Sequence, residues 1–207
     1  MDSPKWLKWA QQIQAIAQSG QQYTQNPFDA GRFKELSHIA AEIMAAQTET
    51  DIGAVLPTFE AQSGYATPKL DVRGVAFRDD KILLVRELMD GGAWTLPGGW
   101  VDINEPPSKA VEKEMREEAG VLSRAVKLLA VYDRNLHGHP PYPFHTYKLF
   151  FLCDIIADAT PDPLETAEPT YFSEHKIPAL SLARVTPEEI ARMFIHHRTP
   201  DLSTDFD

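Results

Sequence analysis

Four glutamates between Gly99 and Val121 carry the first chemistry this sequence suggests. Glu105 is separated by five residues from Gly99 and by seven from Lys113, and Glu114, Glu117 and Glu118 follow in the run Lys113-Glu114-Met115-Arg116-Glu117-Glu118-Ala119-Gly120-Val121. On an α-helix, residues three and four apart share a face, so these last three acids project together. Like charges at such spacings destabilise a helix by about 0.2–0.5 kcal/mol per pair. Converging them gains nothing structurally unless a cation sits among them. Hard divalent cations take oxygen ligands, and Mg²⁺ is held by one or two carboxylates together with water and substrate phosphates. The run therefore reads as a metal site, whereas a bare string of glutamates would read as a solvated helix face.

The elements that must position these acids follow from their flanks. Pro106-Pro107-Ser108 suits a helix start, where proline's fixed φ is already helical. Gly120 suits a helix end in a left-handed residue. Leu96-Pro97-Gly98-Gly99 makes a tight turn in which glycines let backbone and ligand approach closely. Before the turn the apolar period is two, which predicts strands over residues 72–77 and 81–86 with a turn at Asp79-Asp80. Asp90-Gly91-Gly92 predicts another turn, and residues 94–96 lead into the glycines. Residues 126–132, 146–156 and 170–172 are β-like, and a last helix is expected over residues 187–197, capped by Thr186, with Ile190, Met193 and Phe194 inward.

Upstream the period is helical. Ser3 is expected to cap a first helix, with Pro4 at its first position, an apolar stripe of Trp6, Trp9, Ile13 and Ile16, and Gly20 at its end. A second helix is expected over residues 29–46, with Phe33, Leu36, Ile39, Ala40, Ile43 and Met44 on one face, and a third over residues 51–62. This gives a helical extension at residues 1–62, a linker at residues 63–68 and a main domain at residues 69–207. The class is α+β, helices against a mixed sheet. A helical piece of about 60 residues offers little core, so it is expected to pack on the main domain or on a second subunit.

With 20 Lys+Arg against 30 Asp+Glu, the net charge of −10 argues against a nucleic-acid-binding surface, which needs clustered cations to replace phosphate counterions. Cys153 is the single cysteine, so no disulfide framework exists and a reducing cytoplasm is expected. No apolar run approaches a membrane span. Gln11, Gln12, Gln14 and Gln18 break any signal-peptide core, so the N-terminus reads as mature protein.

The stretch from Gly99 to Val121 resembles the Nudix box of the Nudix hydrolase superfamily, departing at one fixed position, Lys113, where the family has arginine. Lysine keeps the charge but loses the planar fork that grips a carboxylate twice. The resemblance implies an α/β/α sandwich over residues 69–195 and a metal-dependent pyrophosphohydrolase. It assigns Mg²⁺ or Mn²⁺ to Glu114, Glu117, Glu118 and the Gly99 carbonyl, with Glu105 and Lys113 as supports. The general base is a box glutamate or an acid of the later loop that holds Glu165 and Glu168, of which Glu168 has the commoner position. Trp6-Leu7-Lys8-Trp9-Ala10-Gln11, Ala41-Glu42-Ile43-Met44, Leu182-Ala183-Arg184-Val185-Thr186 and His196-His197 are similar to enzymes acting on X-linked nucleoside diphosphates, of CDP-choline pyrophosphatase type. CDP-choline, split to CMP and phosphocholine, is therefore expected before ADP-ribose or a nucleotide sugar, and a homodimer is expected.

Other candidates are weaker. The proline-rich loop from Asn135 to His145 carries His137, His139 and His145. Transition-metal binding, pocket lining and a rigid cover loop are all open readings for it. Arg73, Trp94, His137, His139 and Glu165 are substrate-binding candidates. Trp6 and Trp9 are core or interface residues, or else a cation–π seat for a quaternary ammonium. A non-catalytic nucleotide sensor of the same fold is the rival of another class, disfavoured because all four acids are present. Occasional trimming of RNA ends is a third reading.

Overall fold

The computed structural model describes residues 3–160 and 166–207, with the backbone alone for residues 166–168. The chain forms two compact units, Met1–Lys69 with Pro141–His145, and Leu70–Pro140 with Thr146–Asp207.

The first unit holds α1 (Lys5–Tyr23), α2 (Pro27–Thr48) and α3 (Ile52–Glu60). Asn26 and Asp51 cap α2 and α3 by accepting from the amides of Phe28 and Gly53. Helix α1 begins one residue later than its sequence suggests: Pro4 is the cap, without a side-chain bond, and Gly20 lies inside the helix. A Cβ on Gly20 would fall 2.3 Å from the Phe33 ring, so this glycine serves close packing of α2 and not termination. The inward stripe also differs. Leu7, Ala10, Gln14 and Ala17 are the buried residues of α1, and Leu7 and Ala10 share a core with Ala40, Ala41, Met44, Val55 and Phe59. Trp6 and Ile13 only flank this core, while Trp9 and Ile16 are 58% and 60% exposed. Buried Gln14 is satisfied by the Ser37 hydroxyl at 2.7 Å. The segment Pro141–His145 belongs here through Gln11, which donates to the Tyr142 carbonyl, and through Lys69, whose ammonium lies 4.6 Å from the centre of the Phe144 ring.

The second unit is a sandwich. One sheet has the order β1 (Lys69–Val75), β6 (Thr146–Asp158), β5 (Val121–Asp133) and β8 (Asp205–Phe206). It is mixed, because β5 pairs antiparallel with β6 and parallel with β8. The other sheet runs β2 (Phe77–Arg78), β3 (Lys81–Glu87), β4 (Trp94–Thr95), with β7 (Thr166–Phe172) also on β3. Strand β3 is buried on both faces, as its continuous apolar run implies. Leu83 and Val85 join Ala110, Val111, Met115 and Ala119 of α4 (Pro107–Ala119), whereas Ile82 and Leu84 join Ile190, Met193 and Phe194 of α5 (Pro187–Arg198). One helix covers each side, as an α/β/α sandwich requires.

Helix α5 has the expected Thr186 cap, completed by Glu189 as a reciprocal capping box. Cys153 is buried, and burial pushes its thiol up to about 12, which leaves it unreactive. No helix among the described residues is long and apolar enough to cross a membrane.

Candidate active site

Helix α4 starts at the proline pair and ends at Gly120, whose φ of 61° is the left-handed cap. Its buried residues are Ala110, Val111, Met115, Glu118 and Ala119, so the face that packs on the sheet carries one acid inward with it. Close approach is possible because residue 74 of β1 is glycine: a Cβ there would lie 2.5 Å from Met115 Sδ. Gly98, at φ 147°, is pressed against β1 more tightly still, with the Val72 carbonyl oxygen 2.0 Å from where a Cβ would sit.

This turn meets the helix at two points. The Gly98 amide donates to Glu118 Oε2 at 2.8 Å, and Glu114 Oε1 lies 3.2 Å from the Cβ position of Gly99. Burial pushes the Glu118 carboxyl up to about 7, against the pull of the Arg73 charge and the Gly98 amide, with Glu114 and Glu87 adding to the rise. A cation bound beside this carboxyl would displace its proton to water and stabilise the carboxylate.

Glu117 pairs with Arg116 at 2.5 Å, and its side chain is 38% exposed. Among the described residues, no three His, Cys, Asp or Glu side chains are gathered closely enough to enclose an ion. Glu114, Glu118 and the Gly99 carbonyl could supply the few hard oxygens Mg²⁺ takes from protein when phosphates and water fill its remaining positions. That carbonyl accepts from the Val72 amide at 2.9 Å and keeps a second lone pair.

Arg73 is buried beneath the turn. It grips Asp71 with Nε and Nη2 at 2.9 and 2.6 Å, and its Nη1 donates to the Leu96 carbonyl at 3.2 Å. Lys148, also buried, donates to Asp71 at 2.9 Å and to the Arg184 carbonyl at 2.7 Å. Burial alone would raise the Asp71 carboxyl, but the two cations bring it down to about 2. Lys113 bonds both Glu105 at 3.2 Å and Asp102 at 3.0 Å, and these bonds, Asp102 first, raise its proton affinity. A lysine at this position thus has two carboxylates where one arginine fork would hold one.

The remaining candidates are spread over the unit. Trp94 packs edge-on against Phe172 at 4.8 Å. His137 stacks on Tyr132 and pairs with Asp207 at 3.0 Å. The fully buried His139 side chain bonds Glu189 at 3.0 Å and the Leu182 carbonyl at 2.8 Å. Glu165 lies outside the described residues, as does the Glu168 side chain, although the Glu168 backbone is in β7.

Sequence reasoning missed Glu87. It closes β3, is 5% exposed, and accepts from the Met89 amide at 3.0 Å while pairing with Arg184 Nε at 3.0 Å. Its one sequence signal is a charged residue at the end of a strand otherwise buried on both faces.

Comparison with known proteins identifies the family. Residues 67–194 match the NUDIX domain family, and residues 4–59 match a family described as UDP-X-like, N-terminal oligomerisation domain. YjhB of Bacillus subtilis (strain 168), whose name carries a provisional assignment as an ADP-ribose pyrophosphatase, is 42% identical over 203 residues, 98% of this chain and 97% of its own. A solved ADP-ribose pyrophosphatase from Streptococcus suis 89-1591 superposes with a TM-score of 0.62 at 37% identity, over 68% of this chain and 100% of that one. A solved UDP-X diphosphatase gives 0.63 at 29% identity over 100% of both chains. Nudix hydrolases use divalent metal ions, which suits the oxygen set at the glycine turn. With the NUDIX match spanning more than half of the chain and a relative matched over nearly its whole length, the chain belongs to the Nudix hydrolases and is a pyrophosphohydrolase.

Proposed function

We propose that the protein hydrolyses the diphosphate of a nucleoside diphosphate joined to a second moiety, with ADP-ribose as the first substrate to test. The observation that carries the reading is the pairing of Glu118 and Glu114 with the Gly98-Gly99 turn. The names of YjhB and of the Streptococcus suis protein put ADP-ribose ahead of CDP-choline, reversing the order drawn from sequence. CDP-choline and a UDP-linked sugar remain in the comparison.

A divalent cation held by Glu114, Glu118 and the Gly99 carbonyl, with Glu117 joining after a side-chain rotation, would neutralise diphosphate charge and make water a better nucleophile. The chain's own residues do the positioning. Arg73 fixes the Leu96 carbonyl and hence the turn, Gly98 holds one Glu118 oxygen, and Lys113 ties Glu105 and Asp102 to α4. Glu168 is retained as the proposed base, on a strand where Ala167 pairs with Arg86 of β3. The extension is proposed to form a homodimer through the exposed side of α1.

The test is product analysis after incubating ADP-ribose, CDP-choline, a UDP-sugar and a dinucleoside polyphosphate with Mg²⁺ or Mn²⁺. AMP and ribose 5-phosphate from ADP-ribose are the expected products. Glu118→Gln should stay folded and lose several kcal/mol of transition-state stabilisation, roughly a thousandfold in rate. Glu168→Gln should lose turnover while keeping metal affinity. A wild-type protein that cleaves none of the four, or a Glu118→Gln variant within about tenfold of wild type, would falsify the reading.

A further inference from the structure

The turn between β7 and α5 is held more firmly than a surface turn needs to be. Three successive carbonyls each accept from a side chain elsewhere in the unit. His139 donates to that of Leu182 at 2.8 Å, Arg134 to that of Ala183 at 3.2 Å and Lys148 to that of Arg184 at 2.7 Å. All three donor side chains are buried. On the far side, the Ser181 amide donates to the Trp94 carbonyl and the Trp94 amide to the Ala179 carbonyl, both within 2.9 Å. Ser181 Oγ also bonds Asp90 at 2.5 Å. Buried donors and charges are costly unless fully satisfied, so this concentration on one short segment needs a reason.

The segment presents the Arg184 side chain. Among the described residues its one partner is Glu87, reached through Nε at 3.0 Å, and the side chain is 33% exposed against 7% for Glu87. Its two terminal nitrogens are left as a planar pair of donors, the geometry that suits phosphate oxygens. The anchor also links this fork, through neighbouring residues, to the reaction site. Glu87 ends β3, next to Arg86, which pairs with Trp94, and the chain from Trp94 runs directly into Pro97-Gly98-Gly99. The same Asp71 that accepts from Lys148 accepts from Arg73 under the turn.

We propose that Arg184, aimed by buried Glu87 and by the clamped turn from Ser181 to Val185, binds the diphosphate oxygens of the substrate beside the acids of α4. This rests on the pyrophosphatase reading and adds to it a protein-supplied cation from outside α4, whose own Lys113 and Arg116 are paired with carboxylates. Both oxygens of Glu87 are engaged, by the Met89 amide and by Arg184, so Glu87 serves as an anchor and not as an ion ligand.

The test is binding, so that it stands apart from turnover. Calorimetry with Mg²⁺ compares ADP and adenosine on the intact wild type, Arg184→Gln and Arg184→Lys. Lys148 bonds only the carbonyl of residue 184, so the turn should survive both changes. Arg184→Gln should weaken ADP roughly 10- to 100-fold with adenosine affinity unchanged, and Arg184→Lys should recover part of the loss. The melting temperature of Arg184→Gln should fall, because buried Glu87 loses its ion pair. An Arg184→Gln protein that binds ADP within about threefold of wild type overturns the inference, and so does a parallel fall in adenosine affinity. Failure of the wild type to cleave any substrate would instead strike the pyrophosphatase reading, and an ADP difference would still stand.

Discussion

Gly98 is the residue on which the site depends most directly. Its φ of 147° belongs to glycine, and a methyl group would stand 2.0 Å from the Val72 carbonyl oxygen. Its amide is also the donor that holds Glu118. Gly98→Ala should therefore cost several kcal/mol of stability and most activity, since backbone strain and a lost donor to a carboxylate act together. A melting temperature and rate equal to wild type would show that the turn has room to relax. At this scale the acids and glycines could be read directly, because they lie within one local run and their roles depend on helix spacing. Glu87, Asp102 and Arg184 could not. Their partners come from other parts of the chain, and a contact such as Glu87 with Arg184 leaves no periodic trace.

At the scale of elements, most strands and α4 followed from period and punctuation, and Thr186 announced α5. The single strand expected over residues 72–77 is instead two, β1 ending at Val75 in one sheet and β2 starting at Phe77 in the other. The inward face of α1 did not follow either. The two tryptophans dominate its apolar stripe by size, but two helices approach closely only where side chains are small. Ala10 therefore went inside with Leu7, in one core with Ala40 and Ala41, and Ala17 is buried further along the same helix. Gly20 belongs to the same close contact. Gly20→Ala would ordinarily stabilise a helix by about 1 kcal/mol. Here it should destabilise the protein by about 1–3 kcal/mol, because the Phe33 ring must shift. Chemical denaturation decides the sign, and a stabilised variant would mean that α2 moves aside freely. The short strand β8 was also illegible, since two residues paired only with β5 carry no pattern of their own.

At the scale of the molecule, the net charge of −10 opposes the approach of an anionic substrate, which makes the local cations matter more than the overall balance. The assembly prediction belongs here too. Trp9, Ile16 and Tyr23 repeat every seven residues along α1 and are 58%, 60% and 68% exposed. They form an apolar line of the kind a second copy would cover. Sedimentation of the intact chain at micromolar concentration should give a dimer, and a Trp9→Asp, Ile16→Asp variant a folded monomer. A wild-type monomer would remove the proposed homodimer.

The segment Pro141–His145 has a different kind of consequence. It leaves the second unit between β5 and β6, belongs with the helices of the first, and returns. The helical unit is therefore written in the gene as two separate passages. Exchange of this unit between relatives by a single crossover near residue 69 would transfer α1 to α3 and leave behind the passage that holds the Tyr142 carbonyl accepting from Gln11. Chimeras made by cutting the sequence once should fold worse than those in which both passages travel together.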